Sequence, residues 1–195
     1  MLDTHARRWV QPVFEALARM LASRGVSPVA VTLASLLAGL AAAGCIMVDW
    51  TAGFLVFLWL CGLLDAVDGT LARLQGRASR VGALIDIVCD RAVEAAVIVA
   101  FGARYPEIRM HLLALCAAVI LSLTVFLTAA AALPASTNKS FHYQAGLTER
   151  TEGFLFFSLM ALWSGGMAVV TLIFAAAVLV TAGHRLWVTV RFFRD

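Results

Sequence analysis

Apolar residues fall in long runs separated by short polar breaks. Six runs cover residues 30–48, 52–64, 83–103, 110–133, 153–163 and 167–187. A helix rising ~1.5 Å per residue needs about 20 residues to cross a hydrocarbon core about 30 Å thick. The first, third, fourth and sixth runs reach that length alone. The second and fifth are short, so each is expected to continue into polar sequence. The second would run past Asp65 and Asp68, and the fifth back towards Glu152. Ahead of the runs, residues 5–22 carry a helical period. Trp9, Val13, Leu17 and Leu21 recur every fourth position, opposite Arg7, Arg8, Glu15 and Arg19. A basic amphipathic helix just before a spanning segment is expected to lie on the membrane surface. Residues 25–28, from Gly25 to Pro28, end it. The pattern predicts an all-α integral membrane protein with six transmembrane helices preceded by an amphipathic interfacial helix. No repeat is visible, so residues 1–195 read as a single domain: residues 1–27 form the juxtamembrane helix and 28–195 the six-helix bundle.

Composition agrees with the bilayer as solvent. The chain is 62% hydrophobic and 14% charged, with a mean hydropathy of +0.91, where a soluble domain is about half apolar and about a quarter charged. Fifteen Lys and Arg against twelve Asp and Glu give a net charge of +3. No basic cluster with interleaved aromatics stands on a polar face, so nucleic acid is not an expected partner. The cysteines, Cys45, Cys61, Cys89 and Cys116, lie in or beside apolar runs without a C-x-x-C pair, and read as small buried hydrophobes. The stretch after Arg7 and Arg8 is interrupted by Gln11, Glu15 and Arg19, which is not a signal-peptide pattern. Most basic residues fall on the side that holds both termini, whereas Arg104 and Arg109 fall on the other. The positive-inside rule makes the first side cytoplasmic. Both termini and the long polar stretch 134–151 are then cytoplasmic, in a multi-pass protein of the cell's inner (plasma) membrane.

Chemistry concentrates between the second and third runs. Asp65 and Asp68 are spaced i, i+3, and Asp86 and Asp90 i, i+4, so on helices each pair shares one face. A reversal between them lets the two faces converge. Four carboxylates in one partly buried place repel one another unless cations join them. Hard oxygen ligands suit Mg²⁺ or Mn²⁺, and such ions suit a phosphate-bearing substrate. Acids inside spanning helices are costly and rarely idle. Gly69 and Ala72 leave room for a ligand to approach the helix backbone. Arg73 offers a planar fork of donors suited to a diphosphate.

The run D-A-V-D-G-T-L-A-R, followed by eight residues and G-A-L-I-D-I-V-C-D, resembles the signature of the CDP-alcohol phosphatidyltransferase family. All eight fixed positions match: Asp65, Asp68, Gly69, Ala72, Arg73, Gly82, Asp86 and Asp90. The resemblance implies that Asp65, Asp68 and Asp86 are metal ligands. Asp90 would complete a two-metal site and act as the general base. Gly69, Ala72 and Arg73 would line the CDP pocket with Asp65, Ser79 and Gly82. The stretch Pro28-Val29-Ala30-Val31-Thr32 corresponds to a nucleotide-contacting segment, with Val29 where Asn is common, and adds Thr32 to the donor-binding set. Members that accept phosphorylated alcohols often carry Arg or Lys at the cytoplasmic end of the fourth span, but residues 126–133 here hold no basic residue. Arg150, Lys139, Glu94 and His142 are the candidate acceptor-binding residues.

The implied reaction is metal-dependent transfer of a phosphatidyl group from CDP-diacylglycerol to a polar alcohol, glycerol 3-phosphate or inositol phosphate, with release of CMP. Membrane lipids and a second copy in a homodimer are the expected partners. A CDP-amino-alcohol phosphotransferase using diacylglycerol as acceptor is the alternative. A transporter with intramembrane acids is the alternative of another class, but its acids belong near the midplane.

Overall fold

The computed structural model describes residues 2–132 and 150–193, with side chains from residue 11 onwards. Among the described residues the chain is helical throughout, with helices α1 Leu2–Ser23, α2 Pro28–Met47, α3 Thr51–Leu74, α4 Arg80–Arg104, α5 Arg109–Ala132, α6 Arg150–Leu162 and α7 Met167–Phe192. Each run has become a helix. The second does continue past Asp65 and Asp68, to Leu74, and the fifth starts at Arg150, upstream of its apolar residues. Among the described residues, four helical segments are long and apolar enough to cross a membrane: Pro28–Met47, Thr51–Leu74, Pro106–Ala132 and Ser164–Phe192. α4 has the length but carries Asp86, Asp90, Arg91 and Glu94, and α6 has 13 residues.

The chain divides into two compact units, Leu2–Pro106 and Glu107–Asp195. In the first, three helix ends share one device. The residue after the cap takes a left-handed conformation, Gly25 at φ 71°, Asp49 at 57° and Gly76 at 61°. The next amide then reaches back to the last turn: Val26 N to Leu21 O at 3.1 Å, Trp50 N to Cys45 O at 2.9 Å, and Arg77 N to Ala72 O at 2.9 Å. These are Schellman endings, which satisfy carbonyls that a helix end leaves bare. Gly is the usual residue there because it lacks a Cβ, and Asp is among the few others that tolerate it. Starts are marked as clearly. Ser27 caps α2, accepting from Ala30 N, with Pro28 in the first turn. Ser79 caps α4, accepting from Gly82 N at 3.0 Å.

Small residues on α2 let its neighbours close in. Gly39 lies directly against the Val93 side chain of α4. Ser35 donates to Cys61 O of α3 at 2.9 Å. α2 packs along both α3 and α4, while α3 and α4 make little direct contact among the described residues. The apolar face of α1 does not stand alone. Ala18, fully buried, joins Val31, Val67 and Leu71, and Phe14, Leu17 and Leu21 pack against that cluster. Gln75, capping α3, donates to Val26 O at 2.9 Å. Of the expected stripe, Leu17 and Leu21 turn towards this cluster, whereas Val13 is exposed.

In the second unit α6 and α7 run antiparallel. Phe156 stacks on Phe174 with centroids 4.7 Å apart, Phe157 meets the same ring edge-on at 5.3 Å, and Thr171 reaches Met160 Sδ at 3.6 Å. That register brings Arg150, the first residue of α6, level with the C-terminal half of α7.

Candidate active site

Asp65 and Asp68 belong to the last three turns of α3, and Asp86 to the second turn of α4. Their intrahelical spacings, with the reversal at residues 75–79, bring one carboxylate oxygen from each within 4.8 Å of the others. Asp68 is buried, and Asp65 and Asp86 are half-buried. Asp86 lies within hydrogen-bonding reach of Asp65 and inside the repulsive field of Asp68 and Asp90. Its Oδ1 is buried and has no hydrogen-bond partner among the described residues. A buried carboxylate oxygen without a donor is costly. Three converging hard oxygens with one acceptor bare fit a divalent cation of the Mg²⁺ or Mn²⁺ kind. Asp90 follows one turn after Asp86, near the triad but outside the tight group of three.

The residues expected to bind the donor lie on α2, on α3 and at the start of α4. Among the described residues, a Cβ on Gly69 would meet only Arg73 Nη1, at 3.7 Å. Packing within the protein therefore does not require this glycine, and its bare face stays open to a ligand. Arg73 is exposed and gives one bond to Thr70 Oγ1 at 3.1 Å, which leaves most of its donors to spare. Ala72 is half-buried one turn beyond Asp68 and Gly69. Ser79 is committed as a helix cap, and Gly82 is tight against it, since a Cβ would stand 3.2 Å from Ser79 Oγ. The Ser79 hydroxyl proton is not used by the cap. Thr32 reaches the acids themselves, donating to Asp68 Oδ2 at 2.5 Å.

With this geometry in view, the comparisons decide the family. Residues 25–190 match the CDP-alcohol phosphatidyltransferase family. The chain belongs to that family. It is therefore a membrane transferase of phospholipid biosynthesis. An inner membrane protein of Escherichia coli K12, YnjF, is 33% identical over 197 residues, 96% of this chain and 94% of that one. A phosphatidylinositol phosphate synthase of Corynebacterium glutamicum is 35% identical over 106 residues, 53% of this chain but only 46% of the synthase. Among solved structures, the Mycobacterium tuberculosis phosphatidylinositol phosphate synthase with CDP-DAG bound superposes with a TM-score of 0.73. It is 23% identical, covering 91% of this chain and 94% of that one. The same synthase in complex with manganese and citrate gives 0.73 at 22% identity, covering 90% and 88%. At those identities the likeness is one of fold.

The acceptor candidates fare unevenly. Glu94 is paired with Arg91, three residues before it on α4. Arg150 lies with its guanidinium 5.4 Å from the Phe154 ring centre. Lys139 and His142 lie outside the described residues. Arg185 of α7 had no site role in the sequence reading. Its guanidinium sits 5.5 Å from the ring centre of Phe126, near the C-terminal end of α5, and its Nε is buried with no hydrogen-bond partner among the described residues. The end of α5 carries no cation of its own, and α7 supplies one there. The available signal was an arginine inside an otherwise apolar span, which is expensive unless used.

Proposed function

We propose that this enzyme transfers the phosphatidyl group of CDP-diacylglycerol to a phosphorylated polar alcohol, with inositol phosphate ahead of glycerol 3-phosphate. The observation that carries the reading is the convergence of Asp65, Asp68 and Asp86 beside the open face of Gly69 and the free donors of Arg73. The resemblance to phosphatidylinositol phosphate synthases supports the choice of acceptor. Asp65, Asp68, Asp86 and Asp90 hold two Mg²⁺ or Mn²⁺ ions. When bound, these ions neutralise charge on the oxygens around the phosphorus. Gly69, Ala72 and Arg73 hold the diphosphate, and Thr32, Ser79 and Gly82 border the nucleotide.

Asp90 takes the proton of the acceptor hydroxyl. That oxygen forms a bond to the phosphorus distal to cytidine, the bond from this phosphorus to the bridging oxygen breaks, and CMP leaves with the electron pair. Arg150 binds the acceptor's phosphate, with Lys139, Glu94 and His142 as further candidates. Six spans, α2 to α7, with α4 and α6 completing the count, place both termini and the site on the cytoplasmic side of the inner membrane. Residues 28–195 act as one catalytic domain, with α1 at the interface, in a homodimer.

The test is purified enzyme with labelled CDP-diacylglycerol and Mn²⁺, offered inositol phosphate, glycerol 3-phosphate, unphosphorylated inositol, or no acceptor. Acceptor-dependent CMP release with a phosphorylated alcohol is expected. Transfer seen only from CDP-ethanolamine to diacylglycerol overturns the proposal.

A further inference from the structure

The contact between Thr32 and Asp68 joins residues 36 positions apart and lies fully inside the protein. Asp68 is 5% exposed and Thr32 7%, so little solvent reaches the pair. The metal-ligand group comes from α3 and α4, which make little direct contact; both lean on α2. Thr32 is where α2 touches that group. Its side chain is β-branched and stiff in a helix, and its hydroxyl also lies 3.2 Å from Pro28 O, one turn back. The single proton cannot serve both acceptors, and the shorter approach is to the carboxylate. A charge-assisted bond of this kind fixes the plane of the Asp68 carboxylate relative to α2. Partners of this sort around metal-binding carboxylates typically govern affinity by 10- to 100-fold.

We propose that Thr32 is a positioning residue, holding the Asp68 carboxylate in the orientation in which the α3 and α4 acids bind a cation. This goes beyond a nucleotide contact for Thr32, and it rests on the metal-binding reading above. The test is Mn²⁺ binding to purified protein without donor or acceptor, followed by the EPR signal of free Mn²⁺. Thr32→Val, which is isosteric and lacks the hydroxyl, is expected to weaken Mn²⁺ binding by about 10- to 100-fold, and Thr32→Ser to retain it. Thr32→Ala, which cannot overpack, serves if the valine variant does not fold. In an Asp68→Asn background, Thr32→Ala is expected to have no further effect, because the partner charge is gone. Mn²⁺ binding that Asp65→Asn abolishes but Thr32→Val and Thr32→Ala leave intact overturns this proposal alone. Wild-type protein that binds no Mn²⁺ overturns the metal reading and this one together.

Discussion

Gly39→Ala tests whether α2 sets the distance between the two acid-bearing helices. A Cβ at Gly39 would stand 2.4 and 2.5 Å from the two γ-carbons of Val93 and 3.0 Å from its Cβ. Rotating a valine exchanges its branches without removing them, so α4 itself has to move. Gly44, on the same helix, has nothing within 4 Å of its would-be Cβ among the described residues. Both substitutions gain the helix propensity of Ala over Gly, about 1 kcal/mol. Only Gly39→Ala adds overpacking, which costs about 1–3 kcal/mol. The gap between the two variants therefore isolates the packing cost. At roughly 2–4 °C per kcal/mol for a chain of this size, Gly44→Ala should melt at or above wild type. Gly39→Ala should melt about 2–12 °C below Gly44→Ala. Because α4 carries Asp86 and Asp90, Mn²⁺ affinity should fall in Gly39→Ala and not in Gly44→Ala. Thermal melting in detergent reads the first effect and Mn²⁺ titration the second. In a Val93→Ala background the gap should close. Equal melting of the two glycine variants, or a gap that persists without the Val93 methyls, refutes the reasoning.

Three further outcomes are expected. Excess EDTA should abolish transfer, and Mg²⁺ or Mn²⁺ should restore it; full turnover in the chelator counts against a metal site at Asp65, Asp68 and Asp86. Asp90→Asn should leave CDP-diacylglycerol binding intact and slow transfer by about 10²–10⁴-fold; wild-type turnover would remove Asp90 as the base. Arg150→Ala should raise the acceptor KM by roughly 10- to 150-fold, the loss of a charge-assisted contact of about 1.5–3 kcal/mol, with donor binding unchanged. An unaltered KM would leave the acceptor phosphate to other residues.

Helix positions were legible because the bilayer imposes long apolar runs and because the breaks are chemically marked. Gly25 and Gly76 announce left-handed endings, and Ser27–Pro28 and Ser79 announce starts. Asp49 gave no such signal, because its left-handed conformation is taken by a residue ordinary in any loop. Its partner Arg104 ties that turn to the end of α4, 55 positions away, and no local pattern encodes such a contact. α1 shows the limit of periodicity. The stripe through Leu17 and Leu21 states that one face is apolar, but a lipid surface and the flank of α3 satisfy it equally. The burial of Ala18 against Val67 and Leu71 shows that part of α1 packs on α3.

The acid site divides along the same line. Asp65, Asp68, Asp86 and Asp90 could be grouped from sequence because helical spacing fixes which face each pair occupies, and a short reversal limits how far apart the pairs can be. The cation at the end of α5 could not be found that way. No residue of 126–133 supplies it, and the arginine that does is 59 positions downstream of Phe126, brought back by α6 and α7. Thr32 is the same case seen from the metal side, a hydroxyl supplied across 36 positions to an acid whose own segment names it plainly. The acids are thus written in consecutive turns of two helices, while the hydroxyl that meets one of them comes from α2, which packs along both. Substitutions in residues 65–90 should therefore act on chemistry directly. Those at Gly39 and Thr32 should act through geometry, and only the second kind should be rescued by a compensating change on a neighbouring helix, as Val93→Ala is expected to rescue Gly39→Ala.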